Sequence, residues 1–186
     1  MNQLSSDIEV LQREIRRLRD RQDILDCVNS YGRGLDRLDA DLIRQAYHPH
    51  AIDNHGPFIG SVDEFVPFAI DIESTFLSTH HGITSHNCQI NGDEAHAESY
   101  VFFFVRLPDG TSVGAGGGRY VDRLERRDGQ WAIVVRRLLM DWSFVVPYSP
   151  WLGADWERHC GRRDKLDPSY ERPLSPPSSA IKAEVT

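Results

Sequence analysis

Apolar residues recur three or four positions apart through the first 77 residues, the spacing that gives a helix one apolar face. Ser6 or Asp7 can cap the first helix, and Asp39 and Ser61 stand immediately before two later ones. Such side chains accept hydrogen bonds from the free backbone N–H groups at the start of a helix. Asp23 either opens the second helix or continues the first. The pattern predicts helices over residues 6–22, 23–38, 40–47 and 62–77.

Four apolar residues of the first helix form a narrow stripe that is about two heptads long. Their spacing of three, four and three residues leaves the arginines of this segment on the other faces. Such a stripe is typical of a coiled-coil contact between subunits. It also fits a helix that lies on its own domain, and this is the interpretation we favour. The stripe consists of Ile8, Leu11, Ile15 and Leu18.

From Thr79 onward the apolar positions alternate, which is the pattern of β-strands with one buried face. Turn sequences separate these strands at residues 91–93, 108–110 and 126–129. Helices followed by a meander of long strands predict an α+β fold, with the helices on one face of a curved antiparallel sheet. The predicted strands span residues 81–90, 95–107, 112–125 and 131–144.

Two segments of this meander have an unusual composition. Phe102-Phe103-Phe104 is a continuous apolar run, which we expect to be buried on both faces of the sheet. The glycine-rich run over 114–118 lacks the strand–loop–helix context and the Lys-Ser/Thr ending of a phosphate loop. Glycines within a strand more often mark sharp bending or the close approach of another group.

Composition divides the chain into three parts. Residues 1–22 form an N-terminal helical extension, 23–146 form one α+β domain, and 147–186 form a C-terminal extension. Within the last part, residues 155–163 have the composition of a short helix. From Asp167 onward, prolines, serines and the loss of periodicity predict a disordered tail.

The charge and the cysteines narrow the class of protein. A net charge of −7 argues against a nucleic-acid partner. No apolar run approaches the roughly 20 residues of a membrane span, and the N-terminus lacks the basic and apolar regions of a signal peptide. Three cysteines without a pattern, Cys27, Cys88 and Cys160, argue against a disulfide framework and favour a reducing cytoplasm.

Candidate chemistry centres on a histidine and a carboxylate, because an acid that orients an imidazole makes it a general base. His81 stands at the start of the first long strand, and Asp36 stands near the C-terminal end of the second helix. The helix dipole disfavours a carboxylate there, so Asp36 should have a specific partner. The residues alone leave two other interpretations open, a structural strand histidine and a solvated acid. Tyr31 points inward, either as a core aromatic or as a pocket residue.

Four residues of metal-ligand type lie close together in sequence around the segment His48-Pro49-His50. Their spacing fits no zinc signature, and they flank a short strand whose side chains alternate between faces. We therefore predict no metal site, although His55 can line a pocket. The four residues are His48, His50, Asp53 and His55.

Four segments carry a resemblance to a known superfamily, and their order and spacing are more specific than any one of them. They are Tyr31-Gly32-Arg33-Gly34-Leu35-Asp36, Ala46-Tyr47-His48-Pro49-His50-Ala51, His81-Gly82-Ile83-Thr84-Ser85 with Asn91-Gly92-Asp93, and Arg126-Arg127-Asp128-Gly129-Gln130-Trp131 with Arg136. Across roughly residues 8–146 the chain resembles the SnoaL-like branch of the nuclear-transport-factor-2-like superfamily. The resemblance implies an α+β cone, in which a curved antiparallel sheet wraps on N-terminal helices around a deep apolar pocket.

Within that superfamily the chain is similar to the lyase branch, which includes scytalone dehydratase, the bile-acid dehydratase and hexachlorocyclohexane dehydrochlorinase. In that branch an Asp–His pair removes a proton and a neighbouring group departs. The resemblance places Asp36 and His81 on this pair. It also places Tyr31 on a tyrosine that polarises the substrate and Arg136 on a pocket arginine.

The match departs from the pattern at Ser85, where the branch has asparagine. His80 and His86 therefore remain alternatives to His81 as the base. The substrate-binding wall is expected to include His55, Phe104, Met140 and Trp142.

The resemblance implies elimination of water, halide or formaldehyde without a cofactor, from a small hydrophobic substrate that is aromatic, lignin-derived or polycyclic. It also implies a homotrimer formed through the outer face of the sheet, with a dimer as the second possibility. Two other functions stay open, because the superfamily also contains isomerases or cyclases and non-catalytic binding or assembly modules. The presence of both Asp36 and His81 favours the lyase.

Overall fold

The computed structural model describes residues 2–150, 153 and 160–176, which fall into two units divided after Tyr148. In its described part, the first unit contains three helices and six strands. The helices are α1 (Asn2–Arg37), α2 (Ala40–Gln45) and α3 (Val62–Ser74). The strands are β1 (Tyr47–His55), β2 (Phe58–Ser61), β3 (Ser78–Asn91), β4 (Glu94–Arg106), β5 (Ser112–Arg127) and β6 (Gln130–Pro147).

The strands form one curved sheet in the order β2-β1-β6-β5-β4-β3. Every neighbouring pair is antiparallel except β1 and β6, which run parallel. The α+β fold predicted from the sequence is confirmed, but the sheet is mixed and not wholly antiparallel. The segment between β1 and α3 contains β2, a short strand at the edge of the sheet that pairs with β1.

Helix α1 is continuous, so no new helix begins at Asp23. The stripe in its first half is exposed, with 46–62% of each side chain accessible at Ile8, Leu11, Ile15 and Leu18. The interpretation that this helix buries its stripe on its own domain is therefore wrong. The helix meets the sheet at Asp20, which accepts hydrogen bonds from Arg126 Nη1 and Trp131 Nε1.

The second half of α1 contributes one of its faces to the hydrophobic core. Ile24, Val28, Tyr31 and Leu35 recur at spacings of four, three and four residues, and each is at most 2% exposed. Burying such a face is what stabilises a helix in a globular protein. The two predicted caps are present at the next helices. Asp39 accepts from the backbone N–H of Leu42, and Glu64 accepts from the backbone N–H of Ser61.

The glycine run on β5 allows aromatic rings to approach the strand closely. A Cβ built at Gly116 would lie 2.2 Å from the Phe103 ring, and one at Gly117 would lie 2.5 Å from the Trp142 ring. The predicted close approach is thus observed on both faces of the strand. The Phe102–Phe104 run is not buried on both faces of the single chain, because Phe102 and Phe104 are 38% and 51% exposed.

The second unit is described at residues 149–150, 153 and 160–176. Asp167 caps a 3₁₀ turn over Pro168–Tyr170, inside the stretch that we predicted to be disordered. The short helix predicted over 155–163 falls largely outside the described residues. Within the described ranges of the chain, we find no helix long and apolar enough to cross a membrane.

Candidate active site

A cavity of about 220 Å³ lies between α3 and one face of the sheet, which we call the inner face. Its wall is mostly apolar. The apolar side chains are Ile72, Phe76, Val101, Phe103, Val105, Leu138 and Met140. Polar groups reach the wall at four positions, His55, Glu73, His81 and Tyr120. An apolar cavity with a few convergent polar groups is the usual form of a small-molecule site.

The predicted pair of Asp36 and His81 is present at this wall. Nδ1 of His81 lies 2.8 Å from Oδ1 of Asp36, and the side chain of His81 is 6% exposed. Because an ionised carboxylate can only accept, Nδ1 carries the proton and donates it. In the neutral ring Nε2 is then the free acceptor.

Asp36 is held in place by more than the imidazole. The backbone N–H of His81 donates to Oδ2 at 3.0 Å, and Thr79 Oγ1 donates to Oδ1 at 3.0 Å. Burial alone would raise the pKa of Asp36, but these hydrogen bonds and the charge of the imidazolium lower it below its ordinary value. The partner expected for a carboxylate at this helix end is therefore strand β3, through both its side chains and its backbone.

A second carboxylate approaches the other side of the same ring. Oε1 of Glu73 lies 3.9 Å from Nε2 of His81, and the Glu73 side chain is 12% exposed. Our sequence reasoning missed this residue. A signal was present, since Glu73 is an acid in the last turn of α3, between the apolar-face residues Ile72 and Phe76. The argument that singled out Asp36 from the helix dipole applies equally here.

A second Asp–His pair reaches the cavity from β1. Nδ1 of His55 lies 3.1 Å from Oδ1 of Asp53, and Tyr47 donates its hydroxyl to Oδ2 of the same carboxylate. Asp53 is fully buried, whereas the His55 side chain is 21% exposed. His55 therefore lies where the sequence placed it, on the cavity wall, and it has a carboxylate partner that the sequence reasoning did not assign.

Arg136 and Tyr31 do not line the cavity, which contradicts the roles given to them above. Arg136 is fully buried and makes a two-point ion pair with Asp122, with Nε–Oδ1 and Nη2–Oδ2 distances of 2.8 and 2.6 Å. Its guanidinium lies 4.2 Å from the ring centres of both Tyr31 and Tyr120. These residues form a core cluster, and the tyrosine that reaches the cavity is Tyr120.

Two of the predicted wall residues lie on the outer face of the sheet, opposite the cavity. Successive side chains of a strand point to opposite faces, so Phe103 lines the cavity and Phe104 does not. A bulge on β6 between the partners of Gly117 and Gly118 separates Met140 from Trp142. Met140 consequently lines the cavity, whereas Trp142 stacks on Phe144 outside it.

The alternative bases and the metal cluster are not assembled at this site. His80 is exposed, and His86 lies 2.8 Å from Ser99 Oγ away from the cavity wall. His48 contacts the backbone carbonyl of Glu125. Among the residues that the structure describes, no group of three or more histidines, cysteines and acids could hold a metal ion.

A larger cleft of about 620 Å³ lies between α1 and the far end of β3. Five arginines line it, and Arg21 and Arg126 already bond to Cys88 O and to Asp20 within the chain. The residues that line this cleft include no histidine and no aromatic side chain. We therefore place the chemistry in the smaller cavity, which contains both Asp–His pairs.

Comparison with known proteins identifies the fold. A hexachlorocyclohexane dehydrochlorinase, LinA-type3 of Novosphingobium barchaimii, superposes with a TM-score of 0.64 at 18% identity, over 73% of this chain and 94% of that one. A candidate scytalone dehydratase of Novosphingobium aromaticivorans gives 0.63 at 20%, over 72% and 91%. A candidate aromatic ring hydroxylase of the same species gives 0.61 at 18%, over 70% and 94%.

At such identities these likenesses establish the fold alone, and the three named activities differ from one another. A sequence comparison with curated proteins finds no match. The model of the SnoaL-like domain family matches residues 16–137, which is well over half of the chain and includes both Asp–His pairs. On this match, the chain belongs to the SnoaL-like domain family.

Proposed function

We propose that this protein is a cofactor-independent lyase in which His81, oriented by Asp36, removes a proton from a small hydrophobic substrate. The proposal rests on one observation, the 2.8 Å contact between His81 Nδ1 and Asp36 Oδ1 at the wall of a mostly apolar cavity. A general base needs an acceptor atom aimed at the substrate and a partner that stabilises its charged form.

Asp36 fixes the tautomer of His81, so Nε2 takes the proton. The imidazolium that forms then lies between two carboxylates, Asp36 at Nδ1 and Glu73 at 3.9 Å from Nε2. Both stabilise the positive charge at the moment when it appears, and the low polarity of the cavity strengthens the effect. A neutral imidazole in this position can act near neutral pH.

The fate of the electron pair depends on the leaving group. When a C–H proton is removed, its electron pair forms a C=C bond while a neighbouring C–Cl or C–O bond breaks with its own pair. For loss of water, the His81 imidazolium can give the same proton to the departing hydroxyl. For loss of formaldehyde, the proton comes from a hydroxymethyl O–H, the C–C bond breaks, and its pair enters a conjugated carbonyl as an enolate.

The cavity also supports a substrate class. Its volume of about 220 Å³ exceeds the roughly 150 Å³ of a protein cavity that binds benzene. We propose a substrate with one aromatic or alicyclic ring, held against Phe103 and Met140, in preference to a polycyclic one. His55 and Tyr120 would bind its polar end, since they are the polar groups on the wall besides His81 and Glu73.

The test uses 3-hydroxypropiophenone and 3-chloropropiophenone, single-ring ketones that can lose water, formaldehyde or chloride. We expect enzyme-dependent release of at least one group, or exchange of the substrate C–H in D₂O by NMR, and neither with His81→Ala. A product rearranged without loss of a group would indicate an isomerase or cyclase. Binding of both probes with exchange no faster than for His81→Ala would indicate a binding module and would overturn the proposal.

We also propose that the protein is a homotrimer in the cytoplasm. The resemblance to the lyase branch implies the trimer, and the exposed outer sheet face around Phe102, Phe104, Trp142 and Phe144 supports it. Cys27, Cys88 and Cys160 form no disulfide with one another, which is consistent with the proposed reducing compartment. Light scattering should give a mass that is a multiple of three chains, and a stable monomer at micromolar concentration would contradict the trimer.

A further inference from the structure

The two halves of helix α1 present their apolar residues in opposite directions. Ile15 and Ile24 are nine residues apart, which is two and a half turns of a helix with 3.6 residues per turn. Ile24 is fully buried in the domain, while Ile15 is 55% exposed. Leu11 stands in the same relation to Asp20, which is the residue that contacts the sheet. The apolar stripe of the first half therefore points directly away from its own domain.

This stripe is longer than the four residues first noticed, because Leu4 extends it by one step and is 68% exposed. Its five members follow a heptad in which isoleucine and leucine alternate. Isoleucine occupies the first core position at Ile8 and Ile15, and leucine occupies the second at Leu4, Leu11 and Leu18. Isoleucine at the first position and leucine at the second is the combination that favours two parallel strands.

The residues that flank the stripe have complementary charge in the same arrangement. In a parallel pair, the position before one isoleucine of the core contacts the position after the next leucine on the other helix. Glu14 of one copy therefore meets Arg19 of the other, an acid and a base. One heptad earlier, Asp7 meets Gln12. An antiparallel pair centred on Leu11 would instead bring Asp7 of one copy near Glu14 of the other, two acids. Glu14 makes an exposed contact with Arg17 at 3.5 Å within its own helix.

We propose that residues 4–18 of two copies of this chain associate as a parallel two-stranded coiled coil. Each domain lies on the side of α1 opposite the stripe, so the two domains do not obstruct the contact. This surface is separate from the outer sheet face, so the coil does not depend on the trimer or on the proposed chemistry. If both contacts form, the coil doubles the assembly that the sheet face makes.

The test uses cysteine substitutions in the full chain with Cys160→Ser, since Cys160 is the exposed native thiol. Leu11→Cys places the same core residue of both helices face to face, and we expect a disulfide-linked dimer under mild oxidation. Arg13→Cys, on the face of the helix opposite the stripe, where Arg13 lines the cleft beside β3, is the control and should form no linkage between copies. A Leu11→Cys variant that forms no more dimer than Arg13→Cys overturns the proposal.

A second measurement does not depend on thiol chemistry. Replacing both Leu11 and Leu18 with Glu should halve the mass measured by light scattering, while Arg13→Glu should leave it unchanged. Both leucines are exposed in the single chain, so we expect the circular dichroism of the domain to persist. An unchanged mass for the double variant contradicts the coil.

The parallel orientation has its own test. Glu14→Arg places two arginines together in each flanking pair and should weaken self-association about twofold to tenfold at low salt. Adding Arg19→Glu restores opposite charges and should restore the affinity. A double variant no tighter than Glu14→Arg alone would contradict the parallel register.

Discussion

Two Asp–His pairs meet at one cavity, and they are built differently. Asp36 is 16% exposed and its carboxylate is held by Thr79 Oγ1 and by the backbone N–H of His81. Asp53 is fully buried and shares its carboxylate between Tyr47 and His55. The histidines differ as well, because His81 has a second carboxylate, Glu73, on its far side.

Under the proposed function, the two Asp–His contacts have different roles. In the pair on β3, Asp36 orients the His81 ring and stabilises its positively charged form. The ring also lies between two acids, an arrangement that suits proton removal. In the pair on β1, the buried carboxylate accepts a hydrogen bond from Tyr47 and anchors a ring at the cavity wall. We therefore expect changes to the first pair to affect turnover and changes to the second to affect stability and binding.

The largest effect is expected from His81→Ala, which removes the proton acceptor. General-base contributions are roughly 10²–10⁴-fold, so kcat on the probe that turns over should fall by at least about a hundredfold. His80→Ala is the matched control, since it changes the neighbouring exposed histidine on the other face of β3. Near-normal turnover by His81→Ala together with an inactive His86→Ala would show that His86, and not His81, is the base.

Asp36→Asn should lower kcat by about a hundredfold, because it keeps the shape of the side chain but removes the charge that stabilises the imidazolium. The double variant with His81→Ala should be little slower than His81→Ala alone, since residues that act as one unit are not additive. Steady-state kinetics on the four proteins of this cycle measure the coupling. Independent, multiplicative losses would show that the two residues do not act together.

The periodicity of the sequence was enough to predict α+β architecture and most element bounds, because helix and strand spacings differ. The resemblance supplied the Asp36–His81 contact, which no local pattern could, since the two residues are 45 positions apart. The parallel pairing of β1 with β6 was missed for the same reason. A pattern along one segment does not show which other segment lies beside it.

The errors at the site have equally physical causes. Three consecutive phenylalanines show no alternation, so nothing in the sequence indicates that Phe103 and not Phe104 faces the cavity. The bulge on β6 reverses the face of Trp142 relative to Met140. Arg136 is on the strand that the family pattern implies, but its partner Asp122 lies on β5 and turns it into a core ion pair.

Asp53→Asn should test the structural side of the comparison. One of the two groups that donate to this buried carboxylate would face an amide N–H₂ and lose its acceptor, at a cost of about 1–3 kcal/mol in the free energy of unfolding. Urea denaturation of this variant beside Asp36→Asn measures the difference. If the Asp53→Asn protein is stable but its turnover falls a hundredfold, the roles that we assign to the two pairs are reversed.

His55 is expected to give a smaller effect, through binding. His55→Asn can keep the contact to Asp53 but loses Nε2, and the loss of one hydrogen bond to the substrate should raise KM about twofold to tenfold with kcat little changed. His55→Gln, which can place an amide near the Nε2 position, is the matched variant and should recover part of the loss. A fall in kcat of the size seen for His81→Ala would make His55 part of the proton transfer.

The smallest expected effect is a pH dependence of stability that belongs to Asp36. Burial acts to raise the pKa of this carboxyl, but the hydrogen bonds and charge of His81 and the hydroxyl of Thr79 lower it in the folded chain. Such a group stabilises the folded state at pH values above its unfolded pKa of about 3.9, and this contribution is lost as the pH falls through the lower folded pKa. The difference in unfolding free energy between the wild type and Asp36→Asn should therefore shrink as the pH falls below about 4. A difference that grows as the pH falls below about 4 would show that Asp36 prefers its protonated form in the fold. It would then be unable to supply the charge that makes His81 the base.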